Sequence, residues 1–507
     1  MQTQSKNQLQ VHFHTNDLSI MKGQAVVFFS YAAIDKDKVP TLAEKEVGLI
    51  FKSSFEDKTI SGAANETVLF REANLNDFKN VVILGLGQKA KISTESLRQA
   101  GAALVKEIKA AKIEEIFISL DQITNQKKQL GEYLQAFVEG LHLSSYSFDV
   151  LKTAKKEKSL IQIHIISKSG KDKSLISAFQ QGAILAEATN FAKNLGDMPG
   201  NLMTPTILAE SARDAAVGTG IKVTIWDKKR IEKEKMGGLL GVSQGSDQEP
   251  RFIIMEYNGA AKTKKPVIFV GKGLTFDCGG VSIKPSGKME EMKYDMCGSA
   301  AVIGTILAIA RLKLKVNVQV MVPSTENMIN GKATKPGDVH TARNGKTFEI
   351  NNTDAEGRLI LADALCYASE QKPQAIFDAA TLTGAIVVAL GNIHTGYFTR
   401  NKNLKTKIEK ASEVTQELVW NLPLVDAHVK DIKGQYADLS NMSYSGGAGS
   451  ATAAAFLEQF VDSEIPWAHF DIAGTAWSCG NRLNYCGAKN ATGVMVRTFV
   501  ELAKQYI

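Results

Sequence analysis

The sequence predicts an α/β protein of two domains, each a mixed β-sheet flanked by helices. Three observations predict it. The chain has 507 residues, too many for one hydrophobic core. Short β-branched or aromatic runs alternate with helix-length patterns in both halves, as in helix-covered sheets. Between the halves a long helical pattern over 173–195 is broken by Gly196-Asp-Met-Pro-Gly-Asn-Leu-Met-Thr-Pro205, a Pro/Gly-rich boundary. The expected division is 1–172 for a first α/β domain, 173–200 for a linker helix and boundary, and 201–507 for the domain holding the reactive groups.

Taken in order, residues 25–29, 67–70, 81–84, 115–119 and 161–166 read as strands of the first domain, and 94–108 and 131–140 as helices. Gly85-Leu-Gly87 follows a strand, but position 90 is Ala, so the third glycine of a dinucleotide fingerprint is missing and a plain strand–loop–helix turn is expected. His164 lies in the alternating run Ile161-Gln-Ile-His-Ile-Ile, where a half-exposed strand histidine needs no ligand role. In the second domain, 266–270 is a buried strand running into the loop 271–280. Residues 299–312 form an apolar helix, 316–322 a strand, 359–369 a helix, and 375–379 a strand feeding Thr381-Leu-Thr-Gly384. A helix over 451–461, a strand over 467–472 and a closing helix over 492–503 complete it. The reactive segments fall at strand ends and helix starts, where open α/β sheets place their ligand sites.

The net charge of +7 is modest for this length. Its one local excess runs over 152–173, with Lys155, Lys156, Lys158, Lys168 and Lys171 between the lysines at its ends. A solvated face explains such a run; a patch for an acidic partner such as DNA is the functional alternative. The five cysteines, Cys278, Cys297, Cys366, Cys479 and Cys486, are odd in number and lack a CxxC pair, which argues for a reducing compartment. The polar N-terminus is not a signal peptide, and no uninterrupted apolar run is long enough to span a bilayer. The expectation is a cytoplasmic protein with no membrane partner.

Seven residues concentrate the chemistry: Lys272, Asp277, Lys284, Asp295, Asp354, Glu356 and Arg358. They lie in or beside Gly271-Lys-Gly-Leu-Thr-Phe-Asp-Cys-Gly-Gly280, Glu291-Met-Lys-Tyr-Asp-Met296 and Asn352-Thr-Asp-Ala-Glu-Gly-Arg-Leu359. None of the eight histidines has the i, i+4 spacing of a helical zinc motif and the cysteines do not cluster, so a metal here is most simply held by carboxylates. Two carboxylates that bridge let few side chains hold two ions. Lys272 can join them only as the neutral amine, a form that a nearby dication favours. Each group also has a bland reading. Thr353-Asp-Ala-Glu356 has the spacing of a capping box, Asp277 suits a turn, and Asp295 suits a helix N-terminus. Lys284 and Arg358 suit surface ion pairs. Taken together, three segments with complementary groups exceed what capping requires.

These residues resemble the hallmark of the leucyl aminopeptidase family, the dinuclear cytosol aminopeptidases. The likeness rests on Asn352 to Leu359, on the loop 271–280, on 293–298, on 449–457 and on Trp467-Ala-His-Phe-Asp-Ile-Ala-Gly-Thr-Ala476. It covers roughly residues 190–507; the first domain is similar only in organisation, macro-like. The resemblance implies that 201–507 is a metallopeptidase domain with a dinuclear site of two divalent ions, Zn or Mn. Asp277 and Glu356 would bridge them, Lys272 and Asp295 would complete one ion's shell, and Asp354 the other's. Lys284 and Arg358 would be the catalytic pair, with Arg358 holding bicarbonate. Met292, Thr381, Gly384, Ala473 and Ala476 would line an uncharged substrate pocket suited to Leu and other apolar residues. The implied reaction is hydrolysis of the N-terminal residue from peptides with a free N-terminus, by a hydroxide bridging two metals, in a homohexamer. Some bacterial relatives of the family bind DNA, so a DNA-binding accessory or regulatory role stands as the alternative. A two-metal phosphoesterase is a weaker rival, since only one lysine and one arginine would meet the ester phosphate.

The chain departs from the family's pattern at 478–490 and at Ala491-Thr-Gly493, where Val494-Met495 follows in place of Arg-Pro. These changes bear on the pocket rim or subunit packing and leave the seven residues in place. Gly345-Lys-Thr347 lacks the earlier glycine of a phosphate loop, because position 340 is His. Gly241-Val-Ser-Gln-Gly245 spells a serine-hydrolase elbow, but Ser246-Asp-Gln-Glu-Pro250 follows it, so a loop is expected.

Overall fold

The computed structural model describes residues 9–34, 40–124, 126–154 and 159–507. The chain forms two compact units, one of residues 1–187 with 480–487 and the other of 188–479 with 488–507. Lys155, Lys156 and Lys158 of the basic run lie outside the described residues. Within that run, Lys168 pairs with Asp17 at 3.0 Å, and Lys152, Lys171 and Lys173 are exposed.

The first unit is built on seven strands: β1 (Leu9–Thr15), β2 (Gly23–Tyr31), β3 (Thr41–Leu42), β4 (Thr67–Phe70), β5 (Phe78–Gly85), β6 (Glu115–Ser119) and β7 (Ile161–Ser167). Their order is β1-β7-β6-β2-β5-β4, with β3 on β2. The pairs from β1 to β5 are parallel, while β4 and β3 add antiparallel edges. Alternation along the strands sorts the side chains between two faces. Val27, Phe29, Ile116, Ile118, Ile163 and Ile165 pack with Leu97, Leu104, Phe137 and Leu141, from the helices Thr94–Ala111 and Lys127–Ser145. Val26, Phe28, Val81, Ile83 and Phe117 pack on the other side with Phe51 and Phe55. The segment 480–487, unusual in sequence, belongs to this unit. Its Tyr485 and Cys486 join Ala102, Leu143 and Ala186, and Asn484 Nδ2 donates to the Gln99 carbonyl at 2.9 Å.

The second unit contains β8 (Lys222–Trp226), β9 (Arg251–Asn258), β10 (Val267–Gly271), β11 (Gly273–Asp277), β12 (Asn317–Asn327), β13 (Val339–Thr341), β14 (Thr347–Glu349), β15 (Ala375–Ala380), β16 (Thr395–Phe398), β17 (Val419–Asn421), β18 (Leu439–Ser440) and β19 (Trp467–Asp471). Its main sheet runs β17-β16-β19-β15-β10-β12-β9-β8, with β11 beside β12; β13, β14 and β18 form a small separate sheet. The centre, β19-β15-β10-β12, is parallel. Every residue of β10, β15 and β19 is buried, as expected of strands covered on both faces. Ile268 and Val270 pack with Ile360, Leu361, Leu365 and Phe456. Between them in sequence, Phe269 meets Phe377 at 5.6 Å and Phe499 at 5.0 Å.

One apolar stretch is accounted for by the core, and one local expectation is corrected. The stretch Met289–Arg311 is long and apolar enough by composition to span a bilayer, yet its apolar part is mostly buried within the fold. It arises because a 3-10 helix, Met289–Met296, runs straight into the core helix Cys297–Arg311. And Gly241 to Ser243 are not loop but the end of the helix Gly237–Ser243. There the Ser243 hydroxyl donates to the Leu240 carbonyl at 2.8 Å, so it is no nucleophile elbow.

Candidate metal centre

The carboxyl ends of the adjacent parallel strands β12, β10, β15 and β19 lead to the reactive residues. β10 ends at Gly271 and hands on to Lys272; β11 follows at once and ends on Asp277. The chain then turns sharply. Gly279 and Gly280 have φ of +90° and +67°, which side chains with a Cβ rarely adopt. The Gly279 amide donates to Asp277 Oδ1 at 2.8 Å, so Asp277 is a turn aspartate and still presents its second oxygen to the site.

The capping-box reading of Thr353 and Glu356 does not hold. The helix Gly357–Glu370 starts after Glu356, and Glu356 makes no side-chain cap bond. Thr353 Oγ1 accepts from the Ser282 amide at 2.8 Å and donates to the Gly279 carbonyl at 2.6 Å. The threonine thus fastens the Asn352–Leu359 segment to the Asp277 turn, and the acidic side chains on either side of Ala355 are left for the site. Asp354, Glu356 and Asp277 each offer an oxygen within 4.8 Å of the others.

The two lysines thread this acidic group. Lys272 Nζ is 2.7 Å from Asp295 Oδ2, 2.9 Å from Glu356 Oε1, and donates to the Thr381 carbonyl at 3.1 Å. A Cβ at position 357 would lie 2.6 Å from Lys272 Cε and Nζ, so glycine there gives the amine its room. Lys284 Nζ is 2.8 Å from Asp277 Oδ2 and 2.5 Å from Asp354 Oδ1. Asp295 receives the Thr381 hydroxyl at 2.6 Å. Arg358 is buried, with Nη1 donating to the Asn441 carbonyl at 2.8 Å and Nε without a hydrogen-bond partner.

The charge state follows from burial and proximity. Burial raises the pKa of Glu356, Asp295 and Asp354, and the neighbouring carboxylate of Asp277 adds to it in each case. Burial alone would lower Lys272 and Lys284; the surrounding carboxylates outweigh it and both are raised. Burial lowers Arg358 to about 10, against the pull of Glu356 and Asp471. Four carboxylates thus face two ammonium groups, and the buried Glu356 Oε2 has no hydrogen-bond partner. An uncompensated buried oxygen is costly, and divalent cations would relieve it. The donor set is almost all oxygen, with one amine, and fits hard or borderline divalent ions.

The five pocket residues lie on segments that follow the strand ends. Met292 is half-buried on the 3-10 helix, Thr381 is buried just after β15, and Ala473 and Ala476 follow β19. Gly384 opens the helix Gly384–Leu390, and a Cβ there would meet nothing within 4 Å.

Three buried residues escaped the sequence reading. Asn327 Nδ2 donates to Asp277 Oδ1 at 2.8 Å and to the Thr353 carbonyl at 3.1 Å. Asn441 holds Arg358 and receives the Asn351 amide at 2.8 Å. Asp471 accepts the Thr383 hydroxyl at 2.6 Å and the amides of Leu382 at 3.1 Å and Ala473 at 3.3 Å, tying together the two loops that carry pocket residues. A polar residue closing an apolar strand was the only signal for Asn327 and Asp471; for Asn441 there was none.

Comparison with known proteins decides what holds such a site. A family model described as cytosol aminopeptidase family, catalytic domain, matches residues 190–500, and that family's N-terminal domain matches 25–155. The chain belongs to the cytosol aminopeptidase family. It is 62% identical over 491 residues to a probable cytosol aminopeptidase of Bdellovibrio bacteriovorus, covering 97% of this chain and 98% of that one. It is 39% identical to one of Syntrophotalea carbinolica, over 93% and 95% of the two chains. Among solved structures it is similar to a tomato leucine aminopeptidase variant, with a TM-score of 0.87, 30% identity, and coverage of 98% and 96%. It is also similar to the bottromycin maturation enzyme BotP in complex with Mn, with a TM-score of 0.83, 30% identity, and coverage of 95% and 99%. As a cytosol aminopeptidase the protein is a metal-dependent exopeptidase, and Asp277, Asp354 and Glu356 form a group that could hold a divalent ion.

Proposed function

We propose that this cytosol aminopeptidase removes Leu and other apolar N-terminal residues from peptides, using two divalent ions held by Lys272, Asp277, Asp295, Asp354 and Glu356. The observation that carries the reading is the convergence of Asp277, Asp354 and Glu356 on one group, with Asp295 joined to it through Lys272, and a buried Glu356 Oε2 that has no hydrogen-bond partner. Asp277 and Glu356 would serve both ions, with Lys272 and Asp295 on one and Asp354 on the other. Bound there, divalent ions would supply Lewis acidity toward a carbonyl and would lower the pKa of a bound water.

The chain's own groups do the rest. Lys284 lies between Asp277 and Asp354 with a partly exposed side chain. As an ammonium it donates to the scissile carbonyl oxygen as negative charge develops there. Arg358, anchored through Asn441, turns its remaining donors to a planar oxyanion; bicarbonate held there would supply a general base for the proton that reaches the leaving amine. The wall formed by Met292, Thr381, Gly384, Ala473 and Ala476 carries no charge, which favours an apolar first side chain. A free α-amine is required because it would be the substrate's own ligand to the metal, an anchor that an internal peptide bond lacks.

Exposed apolar residues on neighbouring elements of the second unit, among them Val388, Ile393, Leu418 and Trp420, support assembly into a homohexamer. The free thiols Cys278, Cys297 and Cys366, all buried, suit a reducing cytoplasm. Among the described residues no observation favours the DNA-binding alternative.

The test is metal content and leucine p-nitroanilide hydrolysis of two variants. Glu356→Ala is expected to lose metal and activity together. Lys284→Ala is expected to keep metal and lose about 10²–10³ in kcat. Full rate in both variants overturns the reading.

A further inference from the structure

We propose that His12, His14 and His164, with Glu115 behind them, form a second metal site in the first unit, for a borderline divalent transition-metal ion such as Zn²⁺, Ni²⁺ or Cu²⁺. Three of the chain's eight histidines meet here on two adjacent strands. In the parallel pairing of β1 with β7, His12 stands opposite His164, and His14 lies two residues on, on the same face. Ile163 and Ile165 point the other way into the helix-covered core. The histidines therefore occupy the opposite face, and all three are only partly buried, within reach of an ion from solvent.

The geometry is that of an imidazole pair sharing one proton. His14 Nε2 is 2.9 Å from His164 Nδ1. Two nitrogens bound to one tetrahedral ion at 2.0–2.1 Å stand about 3.3 Å apart, so an ion takes the proton's place with a small opening of the pair. The His12 ring centroid lies 5.1 Å from that of His164 and 6.0 Å from that of His14. Three imidazoles around one tetrahedral ion have centroids about 5.2 Å apart. His12 and His164 are now nearly parallel, 18° between planes, so His12 turns its ring about χ2 to become the third ligand.

His164 is already oriented. Phe117 stacks on it at 4.5 Å, and its Nε2 faces Glu115 Oε1 at 3.4 Å, with no hydrogen bond yet formed. A carboxylate behind a ligating histidine fixes the tautomer with its proton on the outer nitrogen and leaves the inner lone pair for metal. Nδ1 of His164 is that inner atom. When the ion enters, the proton on His14 Nε2 leaves and its Nδ1 takes one up, so both rings bind as neutral imidazoles with no net proton change. Burial lowers the pKa of His14 and His164, which keeps both neutral near pH 7 and ready to bind. Imidazole donors select Zn, Ni and Cu over Mg or Ca, and the ion would pin edge strand β1 to β7.

The carboxylate centre of the second unit contains no histidine, which makes the two sites separable. Untagged full-length protein is titrated with Cu²⁺ and read by electron spin-echo envelope modulation, which detects the remote nitrogen of a coordinated imidazole. One copper per chain with modulation from at least two imidazoles is expected. Glu356→Ala should keep that signal. His164→Asn and, separately, His14→Gln should lose it while retaining aminopeptidase activity, and Glu115→Gln should weaken binding by about tenfold. No imidazole signal in the wild-type chain, or an unchanged signal in both histidine variants, overturns the proposal.

Discussion

At the scale of single residues, the centre depends on atoms that are absent as much as on charges that are present. Gly357 is the first residue of its helix, where alanine would ordinarily stabilise by up to about 1 kcal/mol. Here an alanine Cβ would meet Lys272 Nζ at 2.6 Å and Leu382 Cδ1 at 3.0 Å. Gly357→Ala is therefore expected to fold, to resist heat as well as the parent when stripped of metal, and to bind metal about tenfold more weakly, since displaced ligands cost 10–100-fold. Equilibrium dialysis against Mn²⁺ checks it, and unchanged affinity would show that Lys272 is not constrained by that contact. The charged residues themselves were legible because all seven lie in or beside three short segments, two of them bearing glycine. Their hydrogen-bond partners Asn327, Asn441 and Asp471 were not. An asparagine ending a strand and one that orients a catalytic group look alike until the chain brings Asp277 or Arg358 to it.

At the scale of elements, the strand-to-loop transitions were the most legible part of the fold and the helix start at Gly357 the least. Buried parallel strands such as β10 and β15 are continuous apolar runs, so 266–270 and 375–379 stood out. The outer strands β8, β9, β16 and β17 are mixed in character and have no comparable signal. The Thr353 spacing suggested a cap because sequence distance cannot tell a hydroxyl bonded three residues on from one bonded 74 residues away at Gly279. That long-range tie gives a prediction for the element. Thr353→Val keeps the shape but leaves the Ser282 amide and the Gly279 carbonyl without that partner. It is expected to cost about 2 kcal/mol in denaturant unfolding of the metal-free protein. Because Ser282 and Gly279 flank the turn between Asp277 and Lys284, kcat should fall further than KM rises.

At the scale of the whole molecule, two kinds of information were missing from the sequence. The excursion of 480–487 into the first unit is a topological fact that no local pattern encodes, and its odd composition is explained by Tyr485 and Cys486 serving that unit's packing. The other is the balance between protons and metal, which depends on burial. Glu356, Asp295 and Asp354 have folded-state pKa values raised by burial, whereas in the unfolded chain such groups titrate near 4. The metal-free folded protein thus holds protons that the unfolded chain has released. A raised carboxylate contributes stability that is complete below the unfolded pKa and is lost as pH rises through the folded one. Metal-free protein is therefore expected to lose melting temperature as pH climbs from about 5 toward 8. Divalent ions compete with those same protons, so their binding strengthens over that interval. At a hundredfold excess over Kd each site adds about 2.7 kcal/mol, and the gain in melting temperature on adding Mn²⁺ should be larger at about pH 8 than at about pH 5.5. Paired melts with and without chelator measure it. A gain that is equal at both values, or larger in acid, would mean that the carboxylates near Glu356 are already ionised before metal arrives. The buried cluster would then be balanced by its lysines alone.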